Sequence, residues 1–202
     1  MKSEPGKFIV FEGLDGTGKS YHAETVAKAT GALYTFEPGD TAAGQEIRKF
    51  LLTTEMPAAA TALMMIADRI IHTEEVIKPT LASGRDVICD RYSWSTLAYQ
   101  GWGEGLDNQK LEAASNLGGI TLVPDAIFYF HNDNGQKAGT DIFESREVEY
   151  FADVKEGYNG LIWQARVWNT STVETIDTSR SVGRVTKEVY AKVIKYINRK
   201  GQ

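Results

Sequence analysis

The run Gly13-Leu14-Asp15-Gly16-Thr17-Gly18-Lys19-Ser20 satisfies the pattern G-x-x-x-x-G-K-[ST] at every position. Its glycines let backbone N–H groups converge on one point, which suits phosphate oxygens. The apolar stretch Lys7 to Glu12 precedes the run and the helical pattern Lys19 to Thr30 follows it. A helix start at this place adds positive potential. In such a loop Lys19 reaches β- and γ-phosphates, Ser20 can ligand Mg²⁺, and the backbone of Gly13, Asp15, Gly16, Thr17 and Gly18 forms the cradle. Binding of ATP or GTP is the chemistry this implies. The competing reading, a chance glycine-rich turn, fits poorly with a full match at a strand-to-helix junction.

These groups need a frame. Ala32 to Phe36, Asp86 to Asp90, Asp125 to Phe130 and Val173 to Ile176 read as further short strands. Helical spacing marks Ala43 to Leu52, with Ile47, Leu51 and Leu52, and a long helix from Ala58 to Ser83 carrying Leu63, Ile66, Ile70 and Val76. Pro79 marks a kink near the end of that helix. Glu144 to Trp168 and Ser181 to Arg199 also read as helices. Buried strands alternating with helices predict an α/β fold with a parallel sheet of about five strands covered on both faces. Ligands bind such sheets beyond the C-terminal strand ends, where Asp90 and Arg91 also fall. That pair is either a ligand-facing group or a structural ion pair.

The bulk properties narrow the class. A chain of 202 residues with 42% hydrophobic and 24% charged residues fits one domain spanning 1–202. A net charge of -5 disfavours a non-specific nucleic-acid binder. A single cysteine, Cys89, allows no internal disulfide and points to a reducing cytoplasm. Met1 to Lys7 is polar, and the apolar region Pro57 to Ala67 is too short to span a bilayer, so no membrane segment is expected.

Beyond the loop, four stretches in order narrow the reading. Phe8 to Ser20, Phe36 to Leu52 (FEPGDTAAGQEIRKFLL), Leu63 to Pro79 (LMMIADRIIHTEEVIKP) and Asp90 to Gly101 (DRYSWSTLAYQG) together resemble the thymidylate kinases over most of the chain. The resemblance implies a three-layer P-loop kinase fold, ATP and Mg²⁺, and direct in-line transfer of the γ-phosphoryl group to dTMP. It also implies a homodimer, with the apolar face of the Ala58 to Ser83 helix as interface or core. By position, Asp15 would accept from the acceptor 3′-hydroxyl, and Arg91 would contact the acceptor phosphate and stabilise the transfer. Asp90 would hold Mg²⁺ through water, and Arg69 would donate to O4 of thymine. Arg48 would lie near the acceptor phosphate, Pro38 would shape the covering loop, and Arg180 would lie beside adenine. Thr96, Tyr99 and Gln100 would line the base and sugar pocket, with Tyr99 excluding a ribose 2′-hydroxyl. The alternative for Arg48 and Arg69 is a solvated helix residue, and for the last three it is simple helix packing.

The pattern breaks in three places. Met65 stands where the family stacks a phenylalanine on thymine, and its flexible side chain is less selective by shape. The lid, about 131–146, is short, with Ile142 where an arginine is expected and Lys137 or Arg146 as the remaining cations. Phe36 replaces an arginine before Glu37-Pro38-Gly39. A deoxynucleoside monophosphate kinase of broader base choice and a weakly active nucleotide-binding protein therefore remain alternatives. Cys89 reads as a small core residue. His22, His72 and His131 share no metal-ligand spacing. Trp94, Trp102, Trp163 and Trp168 read as packing.

Overall fold

The computed structural model describes residues 4–117, 122–132 and 148–197. Strands β1 (Phe8–Gly13), β2 (Leu33–Phe36), β3 (Val87–Asp90), β4 (Ala126–His131) and β5 (Thr172–Asp177) form one sheet in the order β2-β3-β1-β4-β5. All neighbouring pairs are parallel, with Phe11 opposite both Asp90 and Phe128. The expected sheet is therefore present.

Strand alternation divides the core. Ile9, Phe11, Ile88, Phe128 and Phe130 face α1 (Lys19–Thr30) and α8 (Val182–Ile197), where Val26, Val185, Val189 and Val193 meet them. Phe8, Val10, Val87 and Cys89 point the other way, onto Ile77, Leu81 and Tyr92. A second cluster on this face joins α3 (Ala58–His72), α6 (Asn108–Ser115) and α7 (Val148–Trp168) around Tyr99, Tyr129, Val154 and Tyr158. Because β1 sits between β3 and β4, the loops leaving β1 and β3 pass to opposite faces and open a crevice between them.

The long helix is not one α-helix. It runs as α3, a π turn over Thr73–Ile77, and α4 (Lys78–Ala82), with Lys78 N–H bonding back to the Thr73 carbonyl. Pro79 lacks an N–H and its ring excludes a carbonyl four residues earlier, so the wider turn absorbs the conflict. Leu63 projects outward from α3 (56% exposed), whereas Ile66 is buried. After α2 (Ala42–Thr53, capped by the Thr41 hydroxyl) and β3, a short α5 (Ser93–Thr96) passes into a second π turn over Leu97–Gly103.

Other expectations are corrected. Helix α6 was not expected; only Leu111 is buried in it, so it lacks apolar periodicity, although Asp107 accepts from Gln109 N and Lys110 N at its start. Trp163 and Trp168 are exposed on α7 rather than packed. Trp102 lies against Gly157 and Gly160, where any Cβ would meet its indole. Residues 133–147, which include most of the lid with Lys137, Ile142 and Arg146, and residues 198–199 lie outside the described residues. No described helix is long and apolar enough to cross a membrane.

Gly13 turns the chain from β1 into the loop at φ 142°, and a Cβ there would lie 2.3 Å from the Phe130 carbonyl oxygen. Gly13→Ala is expected to destabilise the fold by about 2 kcal/mol or more, seen as a lower urea midpoint at unchanged slope.

Candidate active site

The loop after β1 presents Gly16 and Gly18 in left-handed conformations (φ 77° and 80°), and Thr17 ties it down by donating to the Leu14 carbonyl at 2.7 Å. Helix α1 starts at Lys19 without a side-chain cap, so its first N–H groups remain for an anion. Ser20 is exposed at that start. Lys19 is buried, with its ammonium 3.2 Å from Asp15 Oδ1 and 3.9 Å from Asp90 Oδ1. Burial and then the Arg91 charge lower its pKa, against the pull of the two carboxylates.

Arg91 approaches from the other side of the crevice. Its Nη2 lies 2.6 Å from Asp15 Oδ1 and 3.2 Å from the Tyr99 hydroxyl, and its Nη1 donates to Ser95 at 3.0 Å. Burial works to raise the Asp15 pKa, but the Arg91 and Lys19 charges overcome it and hold the carboxyl well below its usual range. One carboxylate oxygen thus gathers a cation from each of two adjacent strand ends.

Arg91 reaches this place through an unusual backbone. It sits at φ 71°, disfavoured for a residue with a long side chain, and its N–H bonds the Phe11 carbonyl at 2.8 Å. The turn is supported from below by Glu12, a buried acid at the end of β1. Glu12 accepts from Tyr92 N (2.9 Å), Ser95 N (3.2 Å), Ser95 Oγ (2.6 Å) and Tyr158 OH (3.0 Å). Burial still raises its pKa. Asp90 keeps one buried oxygen, Oδ1, without a hydrogen-bond donor. That orphaned acceptor, 3.9 Å from the Lys19 ammonium, suits a hydrated divalent cation.

Below lies a cavity of about 210 Å³. Asp15, Arg91 and Tyr99 stand on its wall, as do Pro38, Arg48, Met65, Arg69, Thr96 and Gln100, so the structure brings together all the expected acceptor residues. Thr96, Tyr99 and Gln100 are buried and share this wall, although the π turn rather than an α-helix places the last two. Arg48 Nη1 donates to the Pro38 carbonyl at 2.8 Å, and its guanidinium lies 5.9 Å over the Phe36 ring. The aromatic that replaces an arginine is thus a shelf for a neighbouring one. Arg69 is buried, not solvated. Arg180 stands elsewhere, exposed on the loop after β5, where it bonds the Asp177 carbonyl and Glu188.

Three residues of this site escaped the sequence reading. Glu37 holds Arg69 Nε at 2.8 Å and His72 Nδ1 at 2.9 Å. Asp68 accepts from Gly39 N at 3.2 Å, leaving Oδ2 buried without a partner. Burial first, and then the Glu37 charge, push the Asp68 carboxyl up to about 6. Only one signal was available: an acid, an arginine and a histidine on one helix turn, in an otherwise apolar stretch. Among the described residues, Glu37, His72 and Cys89 offer ligand atoms within 4.8 Å of one another. Hydrogen bonds already occupy them: His72 bonds Glu37 and Thr35, and Cys89 Sγ donates to the Arg91 carbonyl.

Comparison with known proteins agrees with this geometry. The thymidylate kinase family model matches residues 11–189. The thymidylate kinase of Neorickettsia sennetsu is 32% identical over 192 residues, covering 92% of this chain and 95% of its own. That of Verminephrobacter eiseniae is 38% identical over 177 residues, covering 77% and 78%. The crystal structure of the Ehrlichia chaffeensis thymidylate kinase superposes with a TM-score of 0.78 at 29% identity, over 95% of this chain and all of that one.

Asp68 supplies a test of the site's electrostatics. Its folded pKa lies above the ordinary value of 3.8, so the unfolded chain releases this proton first. Its contribution to stability therefore falls as pH rises from about 4 to about 6 and stays low above. Asp68→Asn is expected to be more stable than the native chain by about 1–3 kcal/mol at pH 7.5, with the gain vanishing near pH 4 in denaturant titrations.

Proposed function

The chain belongs to the thymidylate kinase family, and on that premise we propose that it transfers the γ-phosphoryl group of ATP to dTMP in one in-line step, giving dTDP and ADP. The observation that carries this reading is the meeting of Lys19 and Arg91 on Asp15, which with Arg69 and Arg91 lines the cavity. Donor phosphates enter from the loop side, where Gly13 to Ser20 offer N–H groups and Lys19. The acceptor phosphate enters from the cavity side, between Arg48 and Arg91.

An oxygen of the dTMP phosphate forms a bond to the γ-phosphorus while the bond from that phosphorus to the β–γ bridging oxygen breaks, and ADP leaves with the electron pair. The attacking oxygen is already anionic near neutral pH, because a phosphate monoester has its second pKa near about 6. No strong base is required. The chain contributes placement and positive charge: Lys19 and Arg91 act on oxygens whose charge grows in the transfer. Ser20 and Asp90 would hold Mg²⁺, which when bound neutralises charge between the β- and γ-phosphates. Asp15, released from its cations as phosphates arrive, takes the acceptor 3′-hydroxyl. Tyr99 closes the space beside it against a 2′-hydroxyl, Met65 covers the base face, and Thr96, Gln100 and Arg69 line its polar edge.

The same reading includes a homodimer, in which the outward face of α3, with Ala59, Leu63 and Ala67 exposed, is covered by a second copy. A reducing, cytoplasmic setting suits the buried, unpaired Cys89.

Two measurements test these statements. In a coupled ADP-release assay, dTMP is expected to be preferred over dGMP, dCMP, dAMP and UMP. Lys19→Ala should lose about 10³-fold or more in kcat, and removal of Mg²⁺ with EDTA should abolish turnover. Activity spread evenly over the acceptors would reassign the enzyme to a broader deoxynucleotide kinase, and turnover equal to that of Lys19→Ala would remove the kinase assignment. In size-exclusion chromatography with light scattering, the native chain is expected at twice its monomer mass, and Leu63→Arg at the monomer mass.

A further inference from the structure

The Arg69 guanidinium is committed almost completely to the protein. Its Nε donates to Glu37 Oε2 at 2.8 Å, and its Nη2 donates to the Tyr92 carbonyl at 3.0 Å and to Thr96 Oγ1 at 2.9 Å. Its plane lies 5.3 Å over the Tyr92 ring. One nitrogen, Nη1, is buried with no partner, and the residue lines the acceptor cavity. The group is thus a donor aimed by its other contacts.

Of those contacts, only Glu37 carries the opposite charge, and its carboxylate is itself braced. Its second oxygen takes His72 Nδ1 at 2.9 Å, His72 Nε2 lies 2.5 Å from the Thr35 hydroxyl, and that hydroxyl bonds Asp40. Every member from Thr35 to Arg69 is buried. In such a place a charge-assisted pair fixes direction, and losing one partner leaves the other unsatisfied.

We propose that Glu37, held by the His72–Thr35 chain, is the positioning residue for base discrimination: it turns Arg69 so that Nη1 alone meets the acceptor base. A nitrogen that can only donate favours a carbonyl at the 4-position, which accepts from it, and disfavours an amino group, the difference that separates thymine from cytosine. This inference rests on dTMP being the acceptor. Glu37 lines the acceptor cavity and bonds Arg69 and His72, so its effect falls on acceptor binding and not on the transfer itself.

The test compares the native chain with Glu37→Gln on dTMP, dUMP and 5-methyl-dCMP. dUMP keeps the 4-carbonyl and lacks the methyl; 5-methyl-dCMP keeps the methyl and changes the edge at the 4-position and N3. Glutamine preserves shape but places an amide N–H₂ where Arg69 or His72 needs an acceptor. Glu37→Gln should raise the KM for dTMP about tenfold, with kcat and the KM for ATP changed by less than about twofold. The kcat/KM ratio of dTMP to 5-methyl-dCMP should fall by about tenfold, and that of dTMP to dUMP should stay within about twofold. Thr35→Val, which removes the brace and keeps the side-chain shape, should shift the same ratio in the same direction by less. Equal losses on all three acceptors in both variants, or an unchanged dTMP to 5-methyl-dCMP ratio, overturn the inference. The native chain is measured first: if it does not turn over dTMP, the underlying reading fails. If it does and Glu37→Gln keeps its discrimination, this inference alone fails.

Discussion

Two cations held within reach of one carboxylate oxygen organise this molecule. Lys19 and Arg91 repel each other; Lys19 is buried in the crevice and Arg91 is largely shielded there. A buried charge without a partner is costly, so the pair can wait there only in company of an anion. Asp15 is that anion, and Asp90 stands behind it. The sheet order serves the same end. With β1 and β3 adjacent, the loop of one and the terminal arginine of the other face across a gap that a phosphate can enter.

The supports are layered by depth. Glu12 lies beneath the Arg91 turn, gathering backbone and side-chain donors from the start of α5, and Tyr158 of α7 donates to the same carboxylate. Glu37, Asp68 and His72 perform the equivalent service for the loop over the cavity. In both places an acid that meets no solvent fixes a segment whose visible side chains face the ligand. Such acids are expensive to bury: Glu12 draws its donors from α5 and α7, whereas both side-chain partners of Glu37 stand on α3.

How much of this could be read in the chain depended on the range of each interaction. The phosphate loop was legible because its glycines, lysine and serine act within eight consecutive positions. The strands were legible because they are buried on both faces and so read as short apolar runs. The pairing of Glu37 with Arg69 and His72 crosses more than thirty positions and depends on α3 lying against the end of β2, which no local pattern records. Nothing local marks Asp68 as a buried acid; only the fold turns it inward. Both π turns use the same residue types as an α-helix, so their extra residue leaves no compositional trace. Trp163 and Trp168 read as packing because apolar type predicts burial on average, but it does not say which side of a helix a given residue takes.

The second π turn has a consequence for how this chain can vary. A π turn is a helix carrying one residue more than its hydrogen bonds need, and here it spans Leu97–Gly103. Losing a single residue from that span would let the segment relax into an ordinary α-helix. The relaxation would also rotate the segment that follows by about 100° about the helix axis. Side chains now facing the cavity would turn toward α7, and those packed on α7 would turn toward the cavity. Substitutions are thus the freer form of change in this stretch, and its length is constrained more tightly than any one of its side chains.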